Sequence, residues 1–153
     1  MSEVPLSDEH NKAILADAFI DSLSDLDRGT QQREVLKKIH QLLDSQSPER
    51  YIYEKATGVD VLQIIRPNDL LRIYCKLVMG VPKNNKEYNI LYIFYVDKHK
   101  YRNRDLKRWD RKAKSLLDRI ESLQSISDVD QHLEEHNAFD PEDIQKLIDT
   151  GGV

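Results

Sequence analysis

The sequence contains few of the residues that build disulfides, metal clusters and flexible loops. Its 153 residues include one cysteine, five glycines and five prolines. A single cysteine excludes an intrachain disulfide and a cysteine-based metal site. Cys75 lies inside an apolar, β-branched stretch, which predicts a small buried side chain rather than a nucleophile. The sequence has neither a glycine-rich phosphate-binding loop nor an internal repeat.

Long apolar runs are also missing. No run approaches the roughly 18 residues that a membrane-crossing helix needs. Residues 1–5 lack the basic and apolar regions of a signal peptide. The hydrophobic content of 39% is sufficient for one core in a domain of this length. We therefore expect a soluble, cytoplasmic protein.

Charge is distributed unevenly along the chain, although the net charge is only -4. Residues 51–123 carry 16 Lys and Arg against 9 Asp and Glu, whereas residues 124–153 carry 1 against 8. A basic middle region followed by an acidic tail predicts an anion-binding face that the tail or a partner covers. Ordinary solvated surface charge is the alternative interpretation.

Two amphipathic helices are predicted near the N-terminus. Ser7 is suited to cap a first helix over residues 8–24, and Thr30 is suited to cap a second helix that ends before Ser47 and Pro48. Both segments repeat apolar residues at spacings of three and four. The stripes consist of Ile14, Leu15, Ala18, Phe19 and Leu23 in the first helix and of Val35, Leu36, Ile39, Leu42 and Leu43 in the second.

Three strands are predicted next, over residues 59–65, 70–78 and 88–96, because these segments are rich in β-branched and aromatic residues. Their connections are too short for crossover helices, so the strands should form an antiparallel meander. One face of the second strand should meet the helices, and the other should be polar. The helix-facing set is Leu71, Ile73, Cys75 and Leu77, and the opposite set is Arg72, Tyr74 and Lys76.

Helical spacing returns after the sheet. Residues 105–123 form an amphipathic pattern in which Trp109 is either a core anchor or a base-stacking surface, and residues 124–153 predict two short helices. We therefore expect an α+β fold in which two N-terminal helices and a later helix pack on a twisted antiparallel sheet. Residues 1–123 would form the domain and residues 124–153 an acidic helical extension. That extension either masks the basic region or packs, or docks a partner, elsewhere.

The run 97–104, where the sheet passes into the helix, is the candidate site. Within residues 98–104 it contains four cations, a histidine and a tyrosine, which together could hold a phosphodiester backbone and transfer protons beside it. A solvated loop histidine and a tyrosine packed on a helix start are the ordinary alternatives. His132 and His136 resemble a zinc pair, but a metalloprotease motif and a clear third ligand are missing.

The order of these elements carries a resemblance to a known family. Two helices lead into Lys55-Ala56-Thr57-Gly58, then a strand with Leu71-Arg72-Ile73-Tyr74, then the strand from Asn89 to Val96, and finally the basic junction and a helix. Over about residues 10–122 the chain resembles the RelE and HigB superfamily of bacterial toxins. It is most similar to the HigB and phage-type branch, whose last strand ends in a lysine pair that Lys98 and Lys100 would match.

The resemblance implies a metal-independent endoribonuclease that cleaves mRNA, usually on the ribosome, and that pairs with a cognate antitoxin protein. No cofactor and no metal are implied. Arg72 looks like the family's strand arginine at the scissile phosphate, while His99 and Tyr101 fall near its variable acid and base positions. The residues expected to contact RNA are Lys55, Arg66, Lys76, Lys98, Lys100, Arg102 and Arg104.

Several features depart from the family pattern. The short strand that often opens the fold is not evident in residues 1–6, the usual C-terminal catalytic pair has no clear counterpart, and the acidic tail is additional. The alternative is therefore a non-catalytic protein of the same fold that acts by binding, either as a gyrase-directed toxin or as a regulatory protein. In that case Arg72 would be a sheet-face arginine in an ion pair.

Overall fold

The computed structural model describes residues 10–98 and 103–151, except for the side chains of Asn103 and Arg104. Together these residues form an α+β fold. The strands are β1 Asn11–Leu15, β2 Glu54–Lys55, β3 Gln63–Ile65, β4 Arg72–Val81 and β5 Tyr88–Asp97. The helices are α1 Asp17–Ser24, α2 Arg33–Leu43, α3 Asn103–Glu121, α4 Ile126–Glu135 and α5 Pro141–Asp149, with a π-helical turn at Arg28–Gln32 and a 3-10 turn at Pro48–Tyr51. Within this part of the chain, no helix combines the length and apolar character that a membrane crossing requires.

The five strands form one mixed, open sheet in the order β1-β5-β4-β3-β2. The predicted meander is confirmed, because β3, β4 and β5 pair antiparallel. The first edge differs from the prediction, since β1 pairs parallel with β5, from Asn11 beside Asn89 to Leu15 beside Ile93. The chain thus returns from β5 to its own beginning to complete the sheet.

The predicted helix over residues 8–24 is wrong in its first half. Residues Asn11–Leu15 are a strand, and α1 begins only at Asp17. Ile14 and Leu15 were assigned to a helical stripe because their spacing to later apolar residues fits one. The conformation of this segment is determined by its pairing with β5, which lies more than 70 residues away in sequence. This pairing overrides the local helical spacing of the segment.

One face of the sheet is covered by α1, α2 and α5. The predicted stripe of α2 is fully buried, and the helix-facing side of β4 is confirmed because Leu71, Ile73, Cys75 and Leu77 belong to the same buried cluster. Ile144 from α5 is completely buried in this cluster. Cys75 is buried as predicted, and burial raises the pKa of its thiol far above the ordinary value. It is therefore an inert core residue.

The opposite face is covered as well, which differs from the prediction of a polar surface. α3 and α4 place Leu106, Trp109, Ile120, Val129 and Leu133 against it. Tyr74 is completely buried and Arg72 is 6% exposed. A sheet sandwiched between two helical layers has no wet face, so every polar side chain on β4 and β5 needs a partner inside the protein.

The segment predicted as the strand 59–65 is extended only over Gln63–Ile65. Before it, the backbone N–H groups of Asp60, Val61 and Leu62 all donate to the carboxylate of Asp110 on α3, at 3.2, 2.7 and 2.9 Å. Burial would raise the pKa of Asp110, but these donors and the Lys114 ammonium lower it below its ordinary value. The carboxylate therefore replaces the ladder bonds that a longer strand would have made.

The C-terminal extension forms two helices, as predicted, and its apolar residues belong to the core. α4 packs on the same face as α3, the backbone of Phe139 pairs with Ala13 at the edge of β1, and α5 packs on α2. The Asp140 and Asp143 side chains form a reciprocal cap at the start of α5. The extension therefore passes around the β1 edge from one sheet face to the other, which agrees with the packing alternative for its apolar residues.

Replacing Asp110 with alanine is expected to lower the free energy of unfolding by roughly 3 kcal/mol, because three backbone donors lose one charged acceptor. Asp118 lies exposed on the same helix, so Asp118→Ala is the matched control. That control should be neutral or slightly stabilising, since alanine is the better helix former. Urea denaturation of both variants measures the difference, and equal midpoints would contradict the role given to Asp110.

Stability should also fall at mildly acidic pH because of His132, which is 2% exposed on α4. Its Nε2 and the Tyr92 hydroxyl share a hydrogen bond of 2.7 Å, and burial raises the pKa of Tyr92. Burial, with His136 and Arg119 nearby, lowers the His132 pKa from 6.5 to about 4, against the opposing effect of Glu135.

Because the folded protein binds this proton less readily than the unfolded chain, the contribution is complete above pH 6.5 and is lost as the pH falls toward 4. The loss amounts to at most about 3 kcal/mol. Denaturation of wild type and His132→Gln between these pH values measures it, since glutamine keeps an acceptor for Tyr92 without titrating. A variant with the wild-type pH slope would contradict this prediction.

Candidate nucleic-acid interface

Three of the basic residues singled out from the sequence, Arg66, Arg72 and Lys98, lie at one end of the sheet. There Ile73 of β4 pairs with Ile65 of β3 on one side and with Val96 of β5 on the other. One position further along, Arg72 of β4 pairs with Asp97 of β5. Arg66 follows Ile65 directly, and Lys98 follows Asp97. Since neighbouring strands lie about 4.8 Å apart, Arg66 and Lys98 are about two strand spacings from each other. We call this region the sheet end and define it by Tyr53, Arg66, Arg72, Asp97 and Lys98.

The Arg72 guanidinium is hydrogen-bonded to the protein's own backbone. Its Nη1 donates to the carbonyl oxygens of Asn68, Asp69 and Leu71 at 3.2, 3.1 and 2.8 Å. The Asn68 side chain accepts from the N–H groups of Leu70 and Leu71, so the loop before β4 is held from both sides. The predicted sheet-face arginine therefore braces a loop with its guanidinium.

Tyr53 and Arg66 form a stacked pair at the β2 side of this end. The Arg66 guanidinium lies over the Tyr53 ring, 4.3 Å from its centroid. Tyr53 is 57% exposed, and its backbone N–H donates to the Ile64 carbonyl at 2.8 Å, which fixes the residue to β3. Among the described residues, Arg66 has no carboxylate within ion-pair distance. The pair is thus a cationic and aromatic surface on a rigid strand.

The other predicted contact residues have different environments. Lys98 is exposed at the end of β5, Lys55 is exposed with its Nζ donating to the Val59 carbonyl at 3.0 Å, and Lys76 is half-buried on the α3 side of β4. The residues His99, Lys100, Tyr101 and Arg102 lie outside the described part of the chain, as does the Arg104 side chain. The described residues on either side of residues 99–102 are Lys98, after β5, and Asn103, the first residue of α3.

Further cations follow along α3. Trp109 is 5% exposed and stacks on Tyr95 with ring centroids 5.5 Å apart, which confirms the core-anchor alternative. Arg108 and Lys112 lie over the Trp109 ring at 5.1 and 5.3 Å from its centroid. Burial, together with the carboxylates of Asp97, Asp105 and Asp25, raises the Tyr95 pKa. Tyr95 is therefore a protonated packing residue rather than a base.

A groove of about 910 Å³ lies between α1, α3 and the β1–β5 pair. Arg108, Arg111 and Lys112 line its α3 side and are exposed, while Ile93 and Phe94 contribute to its lining from β5. The other titratable groups of the lining are Tyr92, Asp17, Glu135 and His136. The positive surface that begins at Lys98 therefore continues along α3, with carboxylates facing it from α1 and α4.

Within residues 10–98 and 103–151, no three side chains of histidine, cysteine, aspartate or glutamate are arranged to hold a metal ion. The rings of His132 and His136 are tilted at 59° to each other with their centroids 4.5 Å apart, and His132 is hydrogen-bonded to Tyr92. Both histidines thus make packing contacts on α4 and at its end.

Tyr53 is the surface residue that the sequence did not single out. Its environment depends on pairing with β3, and the local pattern from Tyr51 to Lys55 carries no distinctive motif. The only local signal was an aromatic residue two positions before Lys55, on the same side of an extended segment. Arg66 was identified by its charge, but its ring partner becomes evident only in the fold.

Replacing Arg72 with alanine is expected to lower the free energy of unfolding by about 2 kcal/mol, because three backbone acceptors lose a charged donor. Lys76→Ala, four residues along the same strand, is the control and should cost less than about 1 kcal/mol because Lys76 is half-buried. Chemical denaturation compares the variants. An Arg72 variant as stable as wild type would show that the bracing bonds are energetically unimportant.

The features that suggest a nucleic-acid interface all lie within this chain. They are a half-buried guanidinium stacked on an exposed aromatic ring, an exposed lysine at the end of β5 and the exposed cations Arg108, Arg111 and Lys112 along α3. The sequence matches no family model, and no curated protein or solved structure matches it either. A relationship to RelE and HigB toxins is therefore a proposal that depends on residue pattern and on fold.

Proposed function

We propose that this protein is an endoribonuclease toxin of the RelE and HigB type, which cleaves mRNA, with the ribosome as its place of action. The observation that carries the proposal is the sheet end, where Arg66, Arg72 and Lys98 lie at the ends of three neighbouring strands and Lys98 directly precedes the run 99–102 in sequence. A phosphodiester backbone is recognised mainly through such cations. The run itself contributes two further cations, Lys100 and Arg102.

The proposed chemistry needs no metal ion. Cleavage requires a base that deprotonates the ribose 2'-hydroxyl, cations that stabilise the phosphorane, and an acid that protonates the departing oxygen. His99 and Tyr101 are assigned the proton transfers, and Lys98 and Lys100 the charge stabilisation. Arg72 acts as a positioning residue, because it holds the loop before β4 and adds positive charge beside the site.

Two features of the fold support the family assignment. A short strand precedes the first helices, and its apparent lack in residues 1–6 was one departure from the family pattern. The order of strand, two helices, antiparallel strands and a later helix also agrees with the resemblance. The cognate antitoxin is part of this proposal, and the α3 cations offer it an anion-binding surface.

The alternative is a protein of the same fold that acts by binding. The observation that favours it is the engagement of Arg72 by backbone carbonyls, because that guanidinium was assigned to the scissile phosphate. Induction of expression followed by primer extension on cellular mRNA separates the two. Growth arrest without new RNA ends would support binding and contradict cleavage.

His99→Ala is expected to lower RNA cleavage by about 100-fold, the scale of a lost general acid or base. His40→Ala is the control, since His40 lies on α2, which covers the opposite sheet face. Cleavage by wild type should persist in a chelator because no metal takes part. The measurement is the cleavage rate of a purified RNA and of ribosome-bound mRNA; an unchanged rate in His99→Ala would remove this histidine from the mechanism.

A further inference from the structure

We propose that Tyr53 is a stacking platform for one unpaired base of the bound RNA, with Arg66 completing the platform from the other side of the ring. This inference rests on the proposed function and specifies its substrate as a single strand at this site. A base can lie flat on an aromatic ring only when it is free of its own helix. Binding at Tyr53 therefore depends on the presence of a base and not on the charge of the phosphate backbone.

The geometry of the ring supports this role. Arg66 covers one side of the ring at 4.3 Å, yet Tyr53 is still 57% exposed. The ring is therefore contacted by a cation while more than half of the residue's surface stays open to a ligand. A guanidinium above the ring also makes the cation–π pair a preformed unit, so little side-chain freedom is lost when a base stacks.

The electrostatics of the pair point to nucleic acid rather than to a packing role. Arg66 has no ion-pair partner among the described residues, so its charge is available for a phosphate. Glu54 is the nearest acid in sequence, but alternation along an extended segment directs it to the opposite side from Tyr53. Lys55 follows two positions later on the same side, and its Nζ donates to the Val59 carbonyl, so Arg66 is the cation in contact with the ring.

The position of the platform fits the proposed cleavage site. Tyr53 is bonded to β3 through Ile64, and Arg66 is the residue after β3, whereas Lys98 follows β5. β2, β3, β4 and β5 are neighbours in the sheet, so the Tyr53 end and the Lys98 end of this surface are three strand spacings, about 14 Å, apart. An RNA strand whose backbone contacts Lys98 can therefore place a base a few nucleotides away on the Tyr53 ring.

The test is a binding experiment on the full-length chain with two probes. One probe is a labelled single-stranded oligoribonucleotide of mixed sequence, and the other is inorganic polyphosphate, which has the charge but no bases. Tyr53→Ala should bind the oligoribonucleotide about ten-fold more weakly, the scale of one lost base stack. Its affinity for polyphosphate should be unchanged. Tyr53→Phe and Tyr53→Trp keep the ring and should bind RNA within about two-fold of wild type.

The salt dependence gives a second, independent readout. Arg66→Gln should reduce the slope of log affinity against log salt by about 0.7, the value for one phosphate contact on a single strand. Tyr53→Ala should leave that slope unchanged, because stacking releases no counterions. Circular dichroism and thermal denaturation of each variant establish that the fold is intact, and Tyr53→Phe provides a ring-containing variant that must fold normally.

The outcomes separate this inference from the proposed function. If wild type and Tyr53→Ala bind RNA with equal affinity, the platform is overturned, but the proposed RNA-directed function is not. Equal losses for RNA and polyphosphate in Tyr53→Ala also overturn it, since the effect would then be electrostatic. Wild type that binds no RNA overturns both. A loss confined to RNA, with the salt slope preserved, supports the platform.

Discussion

Burial of both sheet faces is the constraint on which the other features depend. A strand pair such as β4 and β5, enclosed between helical layers, leaves no water for polar side chains that point off the sheet. Buried groups of this kind have internal partners: Tyr92 is hydrogen-bonded to His132, and Arg72 donates to three carbonyls. The same constraint explains why the carboxylate of Asp110 satisfies three backbone N–H groups at once. Polar groups are left for function only where the sandwich ends.

That end is where the sheet, the loop before β4 and the start of α3 meet. The helical layers no longer cover Arg66 and Tyr53 there, and Lys98 leaves β5 into solvent. Strand pairing fixes the backbone positions of these residues at this end of the sheet. Rigid elements commonly position binding residues in this way.

The sequence was sufficient for the features that depend on local pattern. The stripe of α2, the alternation in β4 from Leu71 to Leu77 and the two helices of the C-terminal extension are all visible in short windows of residues. The sequence was insufficient where partners distant in sequence determine the conformation. Asn11–Leu15 form a strand because β5 offers them an edge, and residues 60–62 bond to Asp110 through their N–H groups instead of extending β3. At the site, the charge of Arg66 is a local property, but its stacking on Tyr53 is a product of strand pairing.

The parallel pairing of β1 with β5 affects how the chain acquires its structure during synthesis. β1 is translated early, yet its partner strand follows more than 70 residues later, and the antiparallel bridge from Phe139 closes its outer edge only afterwards. Contacts of such sequence separation form slowly, because the loop must close before they contribute. The cluster around α2 also includes Ile144, so it is complete only after α5 has left the ribosome. β1 therefore joins the sheet only after β5 has been synthesised, and the core on the α2 side is completed last, by the C-terminal helix.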